Sequence, residues 1–343
     1  MGSGTVLVIG GTGGQGVPIV EYLSQNDYHL RVLTRNASSK NAKRLAALGS
    51  NVEFSIGSPD NEDELRAAFS GVDYAFVNLN TWALGIKNEL YWGIRIFELA
   101  VQAGVKHYIW STLDNYQVET RYDDDVRVVH YYGKSYVEQW MQAVPQSVMK
   151  WSFVCTGPYI EQLWSVQHPK KLDSGVYDFL LPLNDGAIPY TCLDDLGHYV
   201  RWILENPEKS SGLNLKVAVE HVSHKQLASV FTEVTGKPAK ATNITSAEWF
   251  NQNGWEQFLD LKIGAASSLP EDPSLLTVRQ NFTNWWKLYQ QSGSNKGLLQ
   301  RDYALLDEIY PGRTRSLKQW MERVGYDGDE RRNYTVDTPW GSG

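Results

Sequence analysis

A glycine-rich stretch directly after an apolar run is the feature that most constrains the fold of this 343-residue chain. The segment VLVIGGTGGQG, residues 6–16, contains five glycines, and Gly10, Gly13 and Gly16 follow a G-x-x-G-x-x-G spacing. Glycine permits a sharp turn, a close approach of the backbone to a phosphate, and tight packing of a helix on a strand. Between a strand and a helix, this pattern predicts a cradle for the diphosphate of a dinucleotide. The alternative is a purely structural glycine turn.

Strand-like apolar runs alternate with helix-like segments over the first 157 residues. The strands are predicted at residues 5–10, 29–35, 51–57, 73–80, 107–112 and 150–157. The helices are predicted at residues 17–25, 39–49, 59–69 (with Ser58 as N-cap), 89–104 and about 130–143. Nearly continuous apolar strands indicate a parallel sheet that is covered by helices on both faces. We therefore predict an α/β fold with a doubly wound, parallel-sheet Rossmann domain.

The alternation stops after Gly157. A helix led by Asp194 and Asp195 follows turns and short strands, and from the N-cap Ser223 onward the sequence becomes mostly helical. These patterns predict a smaller, mostly helical C-terminal lobe, with a chain that crosses between the two lobes more than once. The predicted Rossmann domain comprises residues 1–157 and about 187–222, and the predicted substrate-binding lobe comprises about 158–186 and 223–343.

The end of the second predicted strand indicates which dinucleotide binds. An NAD site places Asp or Glu there, to bind the ribose 2′-hydroxyl. In this chain the strand ends Leu33-Thr34-Arg35-Asn36, without an acidic residue. The Arg35 guanidinium can stack on adenine and bind a 2′-phosphate, with Lys40 and Lys43 nearby. NADP(H) is therefore the predicted cofactor, and a solvated surface arginine is the alternative.

The predicted helix after the fifth strand contains the sequence HYYGKSYVEQW, residues 130–140. Its Gly-Lys-Ser triplet superficially resembles the end of a P-loop, but Val128 occupies the position where a P-loop needs glycine. Lys134 is the basic residue of this helix. Taken alone, it is either a site residue or an exposed lysine that pairs with Glu138 four positions later.

The sequence resembles the NmrA-like family of atypical short-chain dehydrogenases, which is close to the isoflavone-reductase group and includes fungal regulators, NADPH sensors and tailoring enzymes of secondary metabolism. The N-terminal half carries the specific matches, and the C-terminal lobe matches only loosely. The matching segments are residues 10–16, 34–36, 133–134 with 137–138, 156–161, 194–197, 310–313 and 316–320.

The resemblance implies roles for individual residues. Lys134 is expected to bond the nicotinamide ribose and to lower the pKa of a nearby acid. The catalytic candidates are Lys134, Tyr131, His130 and Tyr159. The substrate-binding candidates are Trp82, Thr112, Tyr159 and Trp164, and no metal site is expected. The cofactor-binding candidates are Gly10, Thr12, Gly13, Gly14, Gln15, Gly16, Thr34, Arg35, Asn36, Lys40, Ser58, Asn78, Asn80, Ser111, Lys134, Thr156, Pro158 and Tyr159.

Two positions depart from the family pattern. Typical short-chain dehydrogenases carry Tyr-x-x-x-Lys, with the tyrosine as general acid, but His130 stands four residues before Lys134. Family members often have Gly-Asp after the third strand, where this chain has Gly57-Ser58. The missing tyrosine weakens the case for ordinary ketone reduction, and the missing carboxylate weakens the expected contact to adenine.

Three functions are compatible with this sequence. The first is an NADPH-dependent reductase that acts on a C=N, C=C or C=O bond of a bulky aromatic, alkaloid-like metabolite in a biosynthetic pathway. The second is an NADP(H) redox sensor that regulates a partner protein without turnover. The third is a cyclase, redox-assisted or simply cofactor-bound, that steers a reactive intermediate. We favour the reductase because the expected strand and helix ends supply residues for each role.

Composition narrows the possible partners. The net charge is −7, and the Lys and Arg residues are scattered, which argues against direct nucleic-acid binding. Two cysteines and the lack of a secretory signal or a membrane-length apolar run predict a cytoplasmic protein with buried thiols. The 13 Trp and 19 Tyr residues fit an aromatic-lined pocket for an aromatic substrate, although packing explains any single Trp equally well.

Overall fold

The structure, a computed structural model, describes residues 4–265, 269 and 271–331. The first six strands lie where the apolar runs predict them. They are β1 (Thr5–Ile9), β2 (His29–Thr34), β3 (Val52–Ile56), β4 (Tyr74–Val77), β5 (His107–Leu113) and β6 (Lys150–Thr156). Together with β10 (Asn214–Lys216) they form one seven-stranded sheet in the order β3-β2-β1-β4-β5-β6-β10.

Neighbouring strands from β3 to β6 in this order are all parallel. The strand order reverses direction at β1, as in a doubly wound Rossmann sheet. The predicted fold class is therefore confirmed. The sheet is flanked by α1 (Gly16–Ser24), α2 (Lys40–Ala46), α3 (Glu62–Phe69), α4 (Thr81–Gln102), α5 (Val129–Gln142) and α6 (Leu196–Glu205). Side chains such as Phe69, Trp110 and Phe153 fill its core and are fully buried.

The predicted start of α3 is wrong. The helix begins after Asn61, whose side chain accepts a hydrogen bond from the Glu64 N–H at 3.2 Å. Three acidic residues in the first turn favour this start, because carboxylates stabilise a helix N-terminus. Ser58 is not the N-cap. Its hydroxyl hydrogen bonds Asp60, and its backbone N–H donates to Glu64 at 2.7 Å.

Helix α4 also begins earlier than the predicted residue 89. Asn80 is its N-cap and accepts from the backbone N–H of Trp82 at 3.0 Å. Gly85, with φ 69° and ψ 172°, interrupts the helix and separates a first turn from the long remainder. The apolar periodicity of the remainder predicts a helix, whereas a glycine in the left-handed region hides the preceding turn from a periodicity argument.

The chain divides into two compact units. The first comprises Met1–Leu113, His130–Thr156 and Leu193–Leu215, and the second comprises Asp114–Val129, Gly157–Cys192 and Lys216–Gly343. These boundaries differ from the predicted ones, because residues 114–129, 187–192 and 216–222 belong to the second unit. Two contacts within that unit explain this. β9 (Ala187–Pro189) pairs with β11 (His221–Ser223), and the buried Asp114 carboxylate accepts two hydrogen bonds from Arg301, both at 2.8 Å.

The second unit is rich in helices. It contains a three-stranded sheet of β7 (Lys170–Lys171), β8 (Tyr177–Leu181) and β12 (Ala239–Asn243). Ser223 caps its first long helix through a capping box, as its sequence predicts. The helices after α7 (Pro207–Ser210) are α8 (His224–Thr235), α9 (Ser246–Gln252), α10 (Val278–Gln290), α11 (Tyr303–Ile309) and α12 (Leu317–Val324).

Many of the tryptophans belong to the core of this second unit. Trp249 lies 4.8 Å from Trp255 and 5.3 Å from Trp286, ring centre to ring centre, and Trp285 packs edge-on against Trp286. All four are buried. Packing therefore accounts for these residues. Cys155 and Cys192 are buried and are not joined in a disulfide, as predicted. None of the helices in the described part of the chain combines the length and the apolar character that a membrane span requires, and no cluster of three metal-ligating side chains occurs there.

Candidate functional site

The glycine loop between β1 and α1 is closed to any larger residue at two of its positions. A Cβ atom on Gly16 would lie 2.2 Å from the Gly10 carbonyl oxygen and 2.4 Å from Gly11 Cα. Gly10 has φ +80°, and a Cβ there would lie 2.5 Å from the Asn78 carbonyl oxygen. These neighbours are backbone atoms that cannot turn aside. The turn is therefore as tight as a phosphate cradle requires, and α1 starts from it without a side-chain cap.

Gln15 connects this loop to the ends of two strands. Its Oε1 accepts a hydrogen bond from Ser111 Oγ at 2.7 Å, and its Nε2 donates to Thr156 Oγ1 at 3.3 Å. All three side chains are buried. The structure thus gives these three predicted cofactor contacts a supporting role, since they fix the loop against β5 and β6.

The carboxyl end of β2 exposes the predicted basic residues. Arg35, Asn36 and Lys40 are exposed, and Arg35 makes no hydrogen bond or ion pair with any residue that the structure describes. Thr34 Oγ1 accepts from the Asn36 N–H at 3.2 Å and shapes the turn. Sequence reasoning missed Asn41, whose side chain donates to the Thr12 carbonyl at 2.8 Å. That bond ties α2 to the glycine loop. Because Arg35 is exposed and unpaired among the described residues, its guanidinium is available for an anion.

Lys134 is buried, with 6% of its surface exposed. Its ammonium donates to Asn78 Oδ1 at 2.8 Å, to the Leu79 carbonyl at 2.9 Å and to Glu89 Oε1 at 3.1 Å. An ammonium has three N–H donors, so these bonds use all of them. The alternative of an exposed Lys134–Glu138 pair is wrong, because Glu138 instead accepts from Thr112 and Asn214.

Glu89 is a second residue that sequence reasoning missed. It is fully buried on α4, and its second oxygen, Oε2, accepts from Thr81 Oγ1 at 2.6 Å. Burial raises the pKa of the Glu89 carboxyl, although the Lys134 ammonium acts in the opposite direction. Gly133 makes room for it, since a Cβ there would lie 2.2 Å from Glu89 Oε2. No sequence signal singles it out, because the same helix also contains Lys87, Arg95 and Glu98.

His130 lies one helical turn before Lys134 and packs against Trp82, with ring centres 4.5 Å apart. Burial, and secondarily the Lys134 charge, lowers the pKa of His130 to about 3. Its Nδ1 is buried and has no hydrogen-bond partner among the described residues. His130 is therefore a neutral imidazole near pH 7 and cannot act there as an imidazolium acid. Tyr131 is 1% exposed.

Comparison with known proteins shows the family to which this chain belongs. The NmrA-like family matches residues 2–269. The chain belongs to the NmrA-like family. It is 29% identical over 325 residues to the NmrA-like family domain-containing oxidoreductase lnaB of Aspergillus flavus, covering 87% of this chain and 96% of that protein.

Two solved structures share the NmrA-like fold of this chain. One is NmrA, a negative transcriptional regulator, in complex with NAD, with a TM-score of 0.71 and 18% identity over 96% of this chain and 99% of NmrA. The other is an NADPH-dependent quinone oxidoreductase from Escherichia coli, with a TM-score of 0.65 and 19% identity over 93% of this chain and 99% of that protein.

Not all predicted residues of this NmrA-like chain come together. Thr112 is fully buried and donates to Glu138 at 2.8 Å, so we remove it from the substrate contacts. Trp164 is also removed, because it packs in the second unit against Trp320 at 4.9 Å. Pro158 and Tyr159 belong to the second unit as well. The residues that converge in the first unit are the glycine loop, Asn78, Trp82, Glu89, His130 and Lys134.

Proposed function

We propose that this NmrA-like protein is an NADPH-dependent oxidoreductase that reduces a C=N, C=C or C=O bond of a bulky aromatic metabolite. One observation carries the proposal: the Lys134 ammonium is bonded to Asn78 and Leu79, which follow β4 beside the glycine loop. In a doubly wound sheet, ligands bind outside the carboxyl ends of the strands, and this is that edge. The name of the Aspergillus flavus relative, an oxidoreductase, supports the same class of activity.

The residues present fit a dinucleotide phosphate. The glycine loop provides a cradle that a Cβ at Gly10 or Gly16 would fill, and the uncapped N-terminus of α1 provides positive potential for the diphosphate. Arg35, exposed and unpaired among the described residues, is the proposed partner of the 2′-phosphate, with Lys40 close in sequence. A nicotinamide cofactor, when bound, supplies a hydride to the substrate.

Lys134 supplies a fixed positive charge to this site. Because its three N–H donors already have protein acceptors, it can bond a ligand oxygen only by giving up or sharing one of them. In either case its N–H donors can stabilise the negative charge that develops on oxygen when an enone or a ketone is reduced. Tyr131 and Tyr159 remain proposed proton donors, whereas the neutral His130 is not one near pH 7.

The predicted proton donors in the first unit are a buried Tyr131 and a neutral His130, which favours substrates that need little acid assistance. An iminium carbon or a conjugated alkene needs less acid assistance at the carbon that receives hydride than a ketone does. A bulky aromatic imine or enone is therefore the substrate class that we propose. Trp82, partly exposed and packed on His130, is the aromatic residue of the first unit proposed to contact it.

A non-catalytic NADP(H) sensor is the second candidate. The saturated hydrogen bonding of Lys134 favours it, since the same arrangement would bind a dinucleotide without delivering a proton. The test is to measure NADPH binding by calorimetry and NADPH oxidation with a panel of aromatic imines, enones and ketones. Oxidation that depends on one substrate class supports the reductase. Binding without oxidation, combined with redox-dependent capture of a partner protein, supports the sensor. Product formation without net NADPH oxidation supports a cyclase.

A further inference from the structure

We propose that Glu89 is the charge-balancing and positioning residue of this site: it neutralises the Lys134 ammonium, so that the site accepts the cationic, oxidised nicotinamide ring without electrostatic penalty. The inference rests on the proposed function and deepens it. It concerns the release and binding of both cofactor forms, which a reductase must accommodate in every cycle.

Both carboxylate oxygens of Glu89 accept a hydrogen bond. Oε1 accepts from Lys134 Nζ at 3.1 Å, and Oε2 accepts from Thr81 Oγ1 at 2.6 Å. The Glu89 side chain is 0% exposed and that of Lys134 is 8% exposed. Among the described residues, Glu89 is the one carboxylate within ion-pair distance of Lys134. Removing it would leave a buried, uncompensated positive charge, which is far costlier than losing an exposed pair.

The groups packed around Lys134 cannot replace this carboxylate. Asn78 and Leu79, after β4, offer neutral oxygens. From β5, the Trp110 ring lies 5.5 Å from the ammonium. His130, on the same helix as Lys134, is neutral because burial lowers its pKa to about 3. The net charge of the site is therefore set by whether Glu89 is ionised beside Lys134.

The fold makes specific provision for this carboxylate. Gly85 interrupts α4, and the interruption separates Thr81 from Glu89, which are hydrogen bonded across it. On the facing helix, Gly133 has no side chain where a Cβ would lie 2.2 Å from Glu89 Oε2. Two glycines, on two helices, thus accommodate one buried glutamate next to the lysine.

One residue, Asn78, connects this site to the glycine loop. The Asn78 side chain accepts a hydrogen bond from Lys134. Its backbone carbonyl oxygen lies where it would clash with a Cβ atom on Gly10. A charge on Lys134 is therefore felt by a ligand bound along the glycine loop. The oxidised nicotinamide ring is cationic and the reduced ring is neutral. An unbalanced ammonium should repel only the oxidised form.

The experiment compares Glu89→Gln with the wild type in the 343-residue chain. Glutamine keeps the shape of the side chain and removes its charge, and the Thr81 hydroxyl can reverse to accept from the new amide. We expect the ratio of the Kd for NADP⁺ to the Kd for NADPH to rise about tenfold, the effect of one unit charge several ångströms away in a partly buried site. Glu98→Gln is the matched control, because Glu98 lies on the same helix in an exposed pair with Arg95 and should leave the ratio unchanged.

A double variant separates charge balance from a merely structural role. Glu89→Gln combined with Lys134→Met removes both charges, so we expect the Kd ratio to return to that of the wild type. We also expect the urea midpoint, lowered in Glu89→Gln, to recover in the double variant. An unchanged ratio in Glu89→Gln, with both cofactor forms bound by the wild type, would overturn the inference alone. Failure of the wild type to bind either form would overturn the proposed function, and the role of Glu89 toward the cofactor with it.

Discussion

Asn78 Oδ1 lies 2.8 Å from Lys134 Nζ, and this bond joins the two functional features of the first unit. The backbone N–H of Asn78 donates to the Ile9 carbonyl at 3.1 Å, directly before the glycine loop. A single asparagine after β4 thus fixes the lysine of α5 to the turn that starts α1. The proposed phosphate cradle and the buried ammonium are therefore connected through hydrogen bonds to one residue.

The preference for NADPH should depend on Arg35. Arg35→Asp places a carboxylate at the end of β2, where it repels a 2′-phosphate and can accept from a 2′-hydroxyl. We expect NADPH affinity to fall by at least tenfold and NADH affinity to hold or rise, measured by calorimetry. Arg44→Asp is the control, since Arg44 is an exposed α2 residue already paired with Glu21. NADPH binding as tight as that of the wild type in Arg35→Asp would refute the assignment.

Gly133 should be intolerant of even a methyl group as long as Glu89 is present. Alanine ordinarily stabilises a helix interior by about 1 kcal/mol over glycine. Here its Cβ would displace the Glu89 carboxylate, so we expect Gly133→Ala to lower the free energy of unfolding by about 1–3 kcal/mol, the usual cost of overpacking.

The same substitution in a Glu89→Ala background provides the control. The obstructing oxygen is then absent, so Gly133→Ala should become stabilising by about 1 kcal/mol. Urea unfolding of the four proteins measures both effects. Equal effects of Gly133→Ala in the two backgrounds would show that the glycine is not there to accommodate Glu89.

His107 should make the protein less stable in acid. Ser152 Oγ donates its hydrogen to the Ser210 carbonyl, so His107 Nε2 must be the donor to Ser152, and Nδ1 is buried without a partner among the described residues. Burial lowers the pKa of His107 to about 4. The unfolded chain, with a histidine pKa of about 6.5, therefore binds the proton first as pH falls.

The contribution of the neutral His107 to the free energy of unfolding is fully present above about pH 6.5. It is lost as the pH falls toward 4. The loss amounts to about 3 kcal/mol if the protein stays folded over that range. His107→Gln should remove this part of the pH dependence in urea unfolding between pH 7 and pH 4. His29→Gln, at an exposed position on β2, is the matched control. An unchanged slope in His107→Gln would contradict the buried, neutral assignment.

Local sequence signals predict the sheet and the glycine loop well, because both depend on short-range patterns. Continuous apolar runs specify β1 to β6, and the glycine spacing specifies the first turn. The start of α3 was wrong because two competing N-caps, Ser58 and Asn61, lie three residues apart, and only the acidic first turn after Asn61 decides between them.

The environment of Lys134 could not be predicted, because it comes from residues far apart in sequence. Glu89 and Asn78 lie 45 and 56 positions away. Nothing local distinguishes Glu89 from a solvated helical glutamate, and only the packing of α4 against α5 buries it. The structure does not support the prediction that Thr112 contacts substrate, for the same reason. The residue lies near the end of a strand as predicted, but its side chain donates a hydrogen bond to Glu138.

Transfer of deuterium from 4-deuterated NADPH into product tests the central claim most directly. With aromatic imines and enones as substrates, the wild type should place the label on the carbon that is reduced, and Lys134→Ala should lower turnover by about 10²–10⁴-fold while NADPH affinity falls much less. Glu98→Gln should transfer label like the wild type. A wild type that binds NADPH yet transfers no label to any substrate, and forms no product, would contradict the account.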